Sequence, residues 1–200
     1  MSEHYFTQNP RSKSSPQKWN YKLRGEIFTF ESDFGVFSKN EVDYGSKLLI
    51  EHFREPRVTG DLLDLGCGYG PIGITVANCY KERLVMLTDI NERAIDLAKK
   101  NAHHNGVSNV EFAISDRFRH LKDMKFAAIL TNPPIRAGKK IVHQMFEDSK
   151  HALLKNGQLW VVIQKKQGAP SALDKLKDLF GNVNVIDRSK GYYILVAQND

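Results

Sequence analysis

Apolar residues in this chain switch repeatedly between the spacing of buried strands and the spacing of helices. Short apolar runs predict strands at residues 62–65, 83–89, 110–114, 126–131 and 159–164. Apolar residues three and four positions apart predict helices at residues 72–77, 94–102 and 139–154. The last two should close at Asn105-Gly106 and Asn156-Gly157, because Asn-Gly favours a helix end. A helix at 172–180 and strands at 183–187 and 192–197 complete the pattern.

This alternation of strands and helices predicts the fold class. A strand that is followed by a helix and another strand pairs in parallel through a right-handed crossover. The chain should therefore form a Rossmann-like, doubly wound α/β sheet of seven mostly parallel strands. The last strand should be antiparallel, because only a few residues join it to the strand before, and a parallel return needs about a dozen or more.

Three segments precede this pattern. Residues 26–37 alternate enough to predict an N-terminal β-hairpin that turns at 31–33, and residues 43–53 have helical spacing. Residues 1–24 hold five basic residues against Glu3 alone, so this arm either contacts phosphates or is a solvated, flexible tail. With 200 residues in all, we expect residues 25–200 to form a single domain.

Composition narrows the classes of function. No apolar run approaches the ~20 residues that cross a bilayer, and the start of the chain lacks a secretory pattern. The two cysteines, Cys67 and Cys79, favour a reducing cytoplasm, and the cysteines and histidines have no zinc-ligand spacing. We therefore expect a cytoplasmic monomer that binds no metal and no membrane. A net charge of +6 leaves room for an acidic partner such as nucleic acid.

A glycine-rich turn follows the first predicted strand of the sheet, in the sequence Asp64-Leu65-Gly66-Cys67-Gly68-Tyr69-Gly70. Its three glycines allow the backbone to approach a ligand closely, and the next helix offers free N–H groups. Residues 68–73 also satisfy the dinucleotide pattern G-x-G-x-x-G, with Asp89 about 20 residues further on. Spacing alone therefore leaves both NAD and S-adenosylmethionine open.

Three carboxylates at consecutive strand ends favour S-adenosylmethionine. Asp64, two residues before the first glycine, suits a cationic amino acid and repels a pyrophosphate. Asp89 ends the second strand, where its carboxylate can accept both hydroxyls of a ribose. Asp116 follows the third strand, where it can accept from an adenine amino group. Any one of these residues alone would be ordinary loop or cap material.

The sequence Asn132-Pro133-Pro134-Ile135 follows the fourth strand. Two prolines make a stiff turn, because each fixes its own φ and restricts the residue before it. The side-chain oxygen of Asn132 and the carbonyl of Pro133 can then accept from one NH2 group, with its lone pair in line with a methyl carbon. Following the glycine turn at this distance, the motif predicts methylation of an amine.

These motifs resemble class I S-adenosylmethionine-dependent methyltransferases of the small-domain ribosomal RNA guanine-N2 type, from about Phe28 to Val196. The resemblance also includes Gly35-Val36-Phe37-Ser38 and the segment 43–49. It implies cofactor contacts for the glycines and acidic residues at the strand ends, Gly66, Gly68, Gly70, Asp89 and Asp116. It also implies that Phe37 and Ser38 cover the methionine end of the cofactor. It implies contacts with the target amine for Asn132 and Pro133.

The resemblance implies guanine N2 in small-subunit ribosomal RNA as the target, in naked RNA or in the assembled subunit. Relatives often carry an aromatic residue where this chain has Ile135, which can give only apolar contact. We expect the basic arm, or a basic cluster beside the pocket, to hold RNA in place of the second domain of some relatives. The predicted cluster comprises Arg136, Lys139, Lys140, Lys165 and Lys166.

Other functions remain open at this point. The same Asn-Pro-Pro chemistry serves adenine N6 and glutamine amides of proteins, although the glutamine enzymes resemble Asn-Pro-Pro-Tyr. A non-catalytic RNA-binding module with this fold and an NAD-dependent oxidoreductase are further alternatives.

Overall fold

The computed structural model describes residues 15–36 and 41–200. Its strands are β1 (Gln17–Leu23), β2 (Glu26–Ser32), β3 (Leu62–Leu65), β4 (Val85–Asp89), β5 (Val110–Ile114), β6 (Phe126–Thr131), β7 (Leu153–Gln164), β8 (Val183–Ser189) and β9 (Tyr192–Gln198). Its α-helices are α1 (Tyr44–His52), α2 (Pro71–Cys79), α3 (Glu92–His104), α4 (Lys139–Ala152) and α5 (Ala169–Phe180). Two short 3-10 helices, Ile135–Ala137 and Lys165–Gln167, follow β6 and β7.

Seven strands form one sheet in the order β5-β4-β3-β6-β7-β9-β8. The pairs from β5 to β7 are parallel, and β9 runs antiparallel to both β7 and β8. The predicted doubly wound sheet with an antiparallel last strand is therefore confirmed. Because β3 has β4 on one side and β6 on the other, the strand order reverses between β3 and β6, which is where such sheets bind ligands.

Helices cover both faces of the sheet, since alternate strand residues point to opposite faces. Leu62 belongs to the buried apolar cluster that contains side chains of α1, α2 and α3, whereas Leu63 belongs to the cluster that contains side chains of α4 and α5. Each face buries its own apolar cluster, and this double burial explains why the central strands read as continuous apolar runs. No helix in the described ranges is long and apolar enough to span a membrane.

The N-terminal hairpin exists, but its predicted bounds are wrong. β1 and β2 pair antiparallel from Gln17 to Ser32 and turn at Arg24-Gly25, not at 31–33. Both turn residues have positive φ, 49° and 86°, as a tight two-residue hairpin turn requires. Part of the predicted arm is therefore strand β1, while residues 1–14 lie outside the described residues.

The outer edge of β2 is paired with side chains of α3. The Asn105 amide accepts from the backbone N–H of Thr29 at 2.9 Å and donates to its carbonyl at 2.8 Å. The Asn101 amide accepts from the backbone N–H of Glu31 at 2.7 Å and donates to its carbonyl at 2.9 Å. It also donates to the Tyr69 carbonyl at 2.9 Å. The hairpin is thereby fixed to α3 and to the glycine turn.

The predicted end of α4 is also wrong. The helix ends at Ala152 and β7 begins directly at Leu153, so Asn156-Gly157 lies inside the strand. Asn156 has a φ of 64°, and a Cβ at Gly157 would lie 2.9–3.1 Å from three carbonyl oxygens. The β6–β7 register shifts at this pair, which lies between the β6 partners Leu153 and Gln158.

Candidate active site

A cavity of about 380 Å³ opens at the carboxyl ends of the strands, where the strand order reverses. The following predicted site residues line it: Gly66, Gly68, Asp89, Asp116, Asn132, Pro133 and Pro134. Asp64, in β3, and Gly70, at the start of α2, are not among the lining residues, although their neighbours Leu65, Tyr69 and Pro71 are. The topology thus brings together residues that are up to 70 positions apart in the chain.

The glycine turn has the backbone conformation that its sequence predicts. Gly66, Gly68 and Gly70 have φ of 78°, 57° and 93°, a region that favours glycine. A Cβ at Gly66 or Gly68 would meet no atom of the described residues within 4 Å, whereas one at Gly70 would lie 2.7 Å from Ile74. Gly66 and Gly68 therefore leave open space toward the cavity, and Gly70 allows close packing of α2.

Asp64 is a buried carboxyl beneath this turn, with 1% of its surface exposed. Its Oδ2 accepts from the backbone N–H of Gly73 at 2.7 Å. Its Oδ1 has no hydrogen-bond partner among the described residues. Burial raises the pKa of Asp64 to about 7, against the opposing effect of the Gly73 N–H. A cationic group nearby would stabilise its charged form.

Asp89 and Asp116 both line the cavity but differ in environment. Asp89 accepts backbone N–H bonds from Gly68 and Asn91, each at 2.9 Å, so it joins the glycine turn to the start of α3. Burial raises its pKa above the ordinary value. Asp116 is half-exposed and forms an ion pair with Nε of Arg117 at 3.1 Å. Both carboxylates retain lone pairs that can accept from a ligand in the cavity.

Asn132 lies directly after β6, and its side-chain orientation is set by the start of α1. Its Nδ2 donates to Oδ1 of Asp43 and to Oγ of Ser46, each at 3.1 Å. The oxygen Oδ1 is then the remaining polar atom of the side chain. Pro133 is buried and Pro134 half-buried, so the stiff turn after β6 holds this amide at the cavity wall.

Asp43 and Ser46 are site residues to which the sequence analysis gave no role. Asp43 caps α1 by accepting from the backbone N–H of Ser46 at 3.0 Å, and it lines the same cavity. Burial raises the pKa of Asp43 above its ordinary value. The available signal was an acidic residue three positions before a serine at a helix start, within the segment that carries the family resemblance.

Other predicted residues lie apart from the large cavity. Ile135 lines a smaller cavity of about 90 Å³ with Lys139 and Gln167, and it packs on the α4 and α5 side of the core. Lys139 is one of the predicted basic residues, which are exposed and lie in the two 3-10 helices and at the start of α4: Arg136, Lys139, Lys140, Lys165 and Lys166. Phe37 and Ser38 lie outside the described residues. Across the residues that the structure describes, no three potential metal ligands cluster together.

Comparison with known proteins assigns this arrangement to a family. Residues 27–196 match the methyltransferase small domain. The chain is 55% identical over 199 residues to the uncharacterized protein YbxB of Bacillus subtilis (strain 168), covering 99% of both. It is 29% identical to the ribosomal RNA large subunit methyltransferase G of Klebsiella pneumoniae (strain 342), covering 94% of this chain but 51% of that protein.

A solved structure has the same fold. It is the 16S rRNA N2 G1207 methyltransferase RsmC of T. thermophilus, in complex with AdoMet and guanosine. The TM-score is 0.82 at 24% identity, over 96% of this chain and 52% of that one. The chain thus spans about half the length of these two ribosomal RNA methyltransferases. The match over residues 27–196 shows that the chain belongs to the methyltransferase small domain family.

Proposed function

We propose that this protein is a cytoplasmic methyltransferase that moves a methyl group from S-adenosyl-L-methionine to the N2 amine of a guanine in small-subunit ribosomal RNA. The observation that carries the proposal is the fixed amide of Asn132, placed after β6 at the wall of a cavity that also contains the glycine turn. Such an amide oxygen and a neighbouring carbonyl can both accept hydrogen bonds from an NH2 group, which makes an amine the expected recipient of the methyl group.

The residues present fit S-adenosylmethionine. Open space in front of Gly66 and Gly68 admits a ligand against the backbone. The Oδ1 of Asp64, which lacks a hydrogen-bond partner among the described residues, would give the amino-acid end a negative neighbour, which favours a cationic ligand over a pyrophosphate. Asp89 would hold the ribose hydroxyls, and Asp116 the adenine amino group. When bound, this cofactor supplies an electrophilic methyl group on its sulfonium.

Asn132 and Pro133 would act on the nucleophile. An aromatic amine is a poor nucleophile because its lone pair is delocalised into the ring. Two acceptors, Oδ1 of Asn132 and the Pro133 carbonyl, would bind its two hydrogens and favour tetrahedral geometry at nitrogen. An asparagine amide is not a base, so the proton would leave the methylated nitrogen for water after transfer.

RNA is the acceptor class that the surface supports best. Arg136, Lys139 and Lys140 of the predicted basic cluster are exposed and follow the turn that carries Asn132, in the first 3-10 helix and at the start of α4, where they would neutralise phosphates. The named activity of RsmC supports guanine N2 in 16S RNA. The relative named as methyltransferase G supports a second candidate, a base in large-subunit RNA. The side chain of Ile135 lines the smaller cavity, so base stacking would need another residue.

The test is transfer of labelled methyl from S-adenosylmethionine to several acceptors in parallel. These are assembled small subunits, naked 16S RNA, large subunits, DNA and protein, followed by nucleoside analysis. We expect N2-methylguanosine from small subunits or their RNA. Label in large-subunit RNA would move the proposal to that RNA, and label in adenine N6 or protein glutamine would refute the guanine assignment. If the protein bound NAD tightly and did not bind adenosylhomocysteine, the assignment as a methyltransferase would be refuted.

Asn132→Ala provides the internal control for this assay. Because Asn132 touches the amine in our proposal, the variant should bind adenosylhomocysteine as the wild type does and lose most of its methyl transfer. Equal weakening of binding and transfer would show that Asn132 belongs to the cofactor site instead.

A further inference from the structure

The direction of the Asn132 amide decides whether it can bind an NH2 group. Amide oxygen and nitrogen have nearly the same size and opposite hydrogen-bonding roles. With Oδ1 toward the cavity, the side chain offers an acceptor to the amine. Rotated by half a turn, it would present its own NH2 group and oppose the same hydrogens. The cavity therefore needs something that prevents this rotation.

Two groups of α1 supply that constraint. Oδ1 of Asp43 and Oγ of Ser46 both lie 3.1 Å from Nδ2 of Asn132, one acceptor for each of its hydrogens. A carboxylate is only an acceptor when ionised, so it cannot pair with the amide oxygen of a rotated Asn132. The rotated state would place Oδ1 of Asn132 against Oδ1 of Asp43.

Asp43 itself is held rigidly. The same Oδ1 accepts from the backbone N–H of Ser46 at 3.0 Å, so the N-terminal cap of α1 fixes the carboxylate. The first turn of α1 is packed closely against β9, since a Cβ at Gly45 would lie 2.9 Å from the ring of Tyr192. The acceptor for Asn132 is thus part of a helix start that cannot easily shift.

We infer that Asp43 is a positioning residue that fixes the Asn132 amide with its oxygen toward the target amine. Ser46 supports it as the second acceptor. This inference rests on the proposed transfer to an exocyclic amine. It gives Asp43 no contact with the substrate, and it makes the start of α1, 86 to 89 positions before Asn132, part of the catalytic geometry.

Three variants separate positioning from capping. Asp43→Ser keeps a good N-cap, because serine caps helices about as well as aspartate, but its oxygen is one bond closer to the backbone, which would lengthen and weaken the contact with Asn132. Asp43→Asn keeps both functions, since the Ser46 N–H would hold the new amide oxygen where Oδ1 now lies. Ser46→Ala removes the second acceptor, together with the hydrogen bond of the Ser46 hydroxyl to Asp43, and keeps the backbone N–H of the cap.

We expect Asp43→Ser to lower kcat about tenfold or more, in the range of a lost hydrogen bond to a charged group. Binding of adenosylhomocysteine and the melting temperature should stay close to wild type. Asp43→Asn should recover most of the lost kcat, and Ser46→Ala should fall between. In an Asn132→Ala background, Asp43→Ser should cause no further loss. Wild-type kcat in Asp43→Ser, or loss in Asp43→Asn equal to that in Asp43→Ser, would overturn the inference.

A measurement without turnover separates this inference from the proposed function. The side-chain NH2 resonances of Asn132, identified by their absence in Asn132→Ala, report the two hydrogen bonds directly. They should shift strongly in Asp43→Ser and little in Asp43→Asn. If the wild type methylates none of the acceptors, the proposed function fails. A large shift of the Asn132 resonances in Asp43→Ser would still establish that Asp43 holds the amide. Unchanged resonances in that variant would overturn the inference about Asp43, whatever the outcome of the methylation assay.

Discussion

The buried carboxyl of Asp64 should make the stability of the cofactor-free protein fall as the pH rises. Asp64 is 1% exposed, with one hydrogen bond from Gly73 and one oxygen that lacks a partner in the described part of the chain. Burial raises its pKa from 3.8 to about 7. The informative perturbation is Asp64→Asn, which keeps an acceptor for Gly73 and removes the titration.

The sign follows from the protons bound in each state. Between about pH 3.8 and pH 7 the folded chain holds a proton on Asp64 that the unfolded chain has lost. The free energy of unfolding therefore falls as the pH rises through this window and levels off above about 7. The full loss is about 4 kcal/mol, of which about 3 kcal/mol falls between about pH 4.5 and pH 8.

Urea denaturation of wild type and Asp64→Asn across this pH range measures the effect. The new amide leaves a buried N–H group unpaired, which costs about 1–3 kcal/mol at every pH. Wild type should therefore be the more stable protein at low pH, and its advantage over Asp64→Asn should shrink by about 3 kcal/mol between about pH 4.5 and pH 8. Asp96→Asn, on the exposed face of α3, is the control for removing a carboxylate. Parallel stability curves for wild type and Asp64→Asn would refute the reasoning.

Three further predictions concern the backbone and the surface. Gly73→Ala should lower the free energy of unfolding in urea by about 1–3 kcal/mol, because its Cβ would lie 2.6 Å from Cγ of Leu87; a loss below about 0.5 kcal/mol would contradict this. Gly68→Ala should lower the free energy of unfolding by only about 1–2 kcal/mol, because of its φ of 57°. It should lower the affinity for adenosylhomocysteine at least tenfold, measured by calorimetry, because the new methyl group would occupy the open space in front of this glycine. Replacing Lys165 and Lys166 by Gln should reduce the salt dependence of RNA affinity by up to about two units of slope, and an unchanged slope would remove them from the interface.

The sheet and the glycine turn could be predicted because local patterns determine them. Buried parallel strands are continuous apolar runs in the sequence. The turn needs positive φ at three nearby positions, and three glycines in the sequence indicate such positions. The chain order of strands and helices then places Asp89, Asp116 and Asn132 at one edge of the sheet.

The errors arose where one local signal had two structural meanings. Trp19 and Tyr21 alternate with Lys18, Asn20 and Lys22 in β1, and this polar set indicates a basic arm as readily as the solvent face of a strand. Asn156-Gly157 can end a helix or bend a strand, and only the register against β6 decides between them. The contact of Asp43 with Asn132 joins residues 89 positions apart, which no periodicity can reveal.

The asparagines of α3 also occupy the free edge of the hairpin, so that β2 does not offer this edge to another strand. Residues four apart on a helix are about 6 Å apart, close to the ~6.6 Å between alternate residues of a strand, so Asn101 and Asn105 match Glu31 and Thr29. Each amide acts as a peptide group, and α3 takes the place of a third strand along β2. An open strand edge is a template for pairing with other chains. Here these hydrogen-bonding sites are occupied within the same molecule, which protects this edge against strand exchange and aggregation.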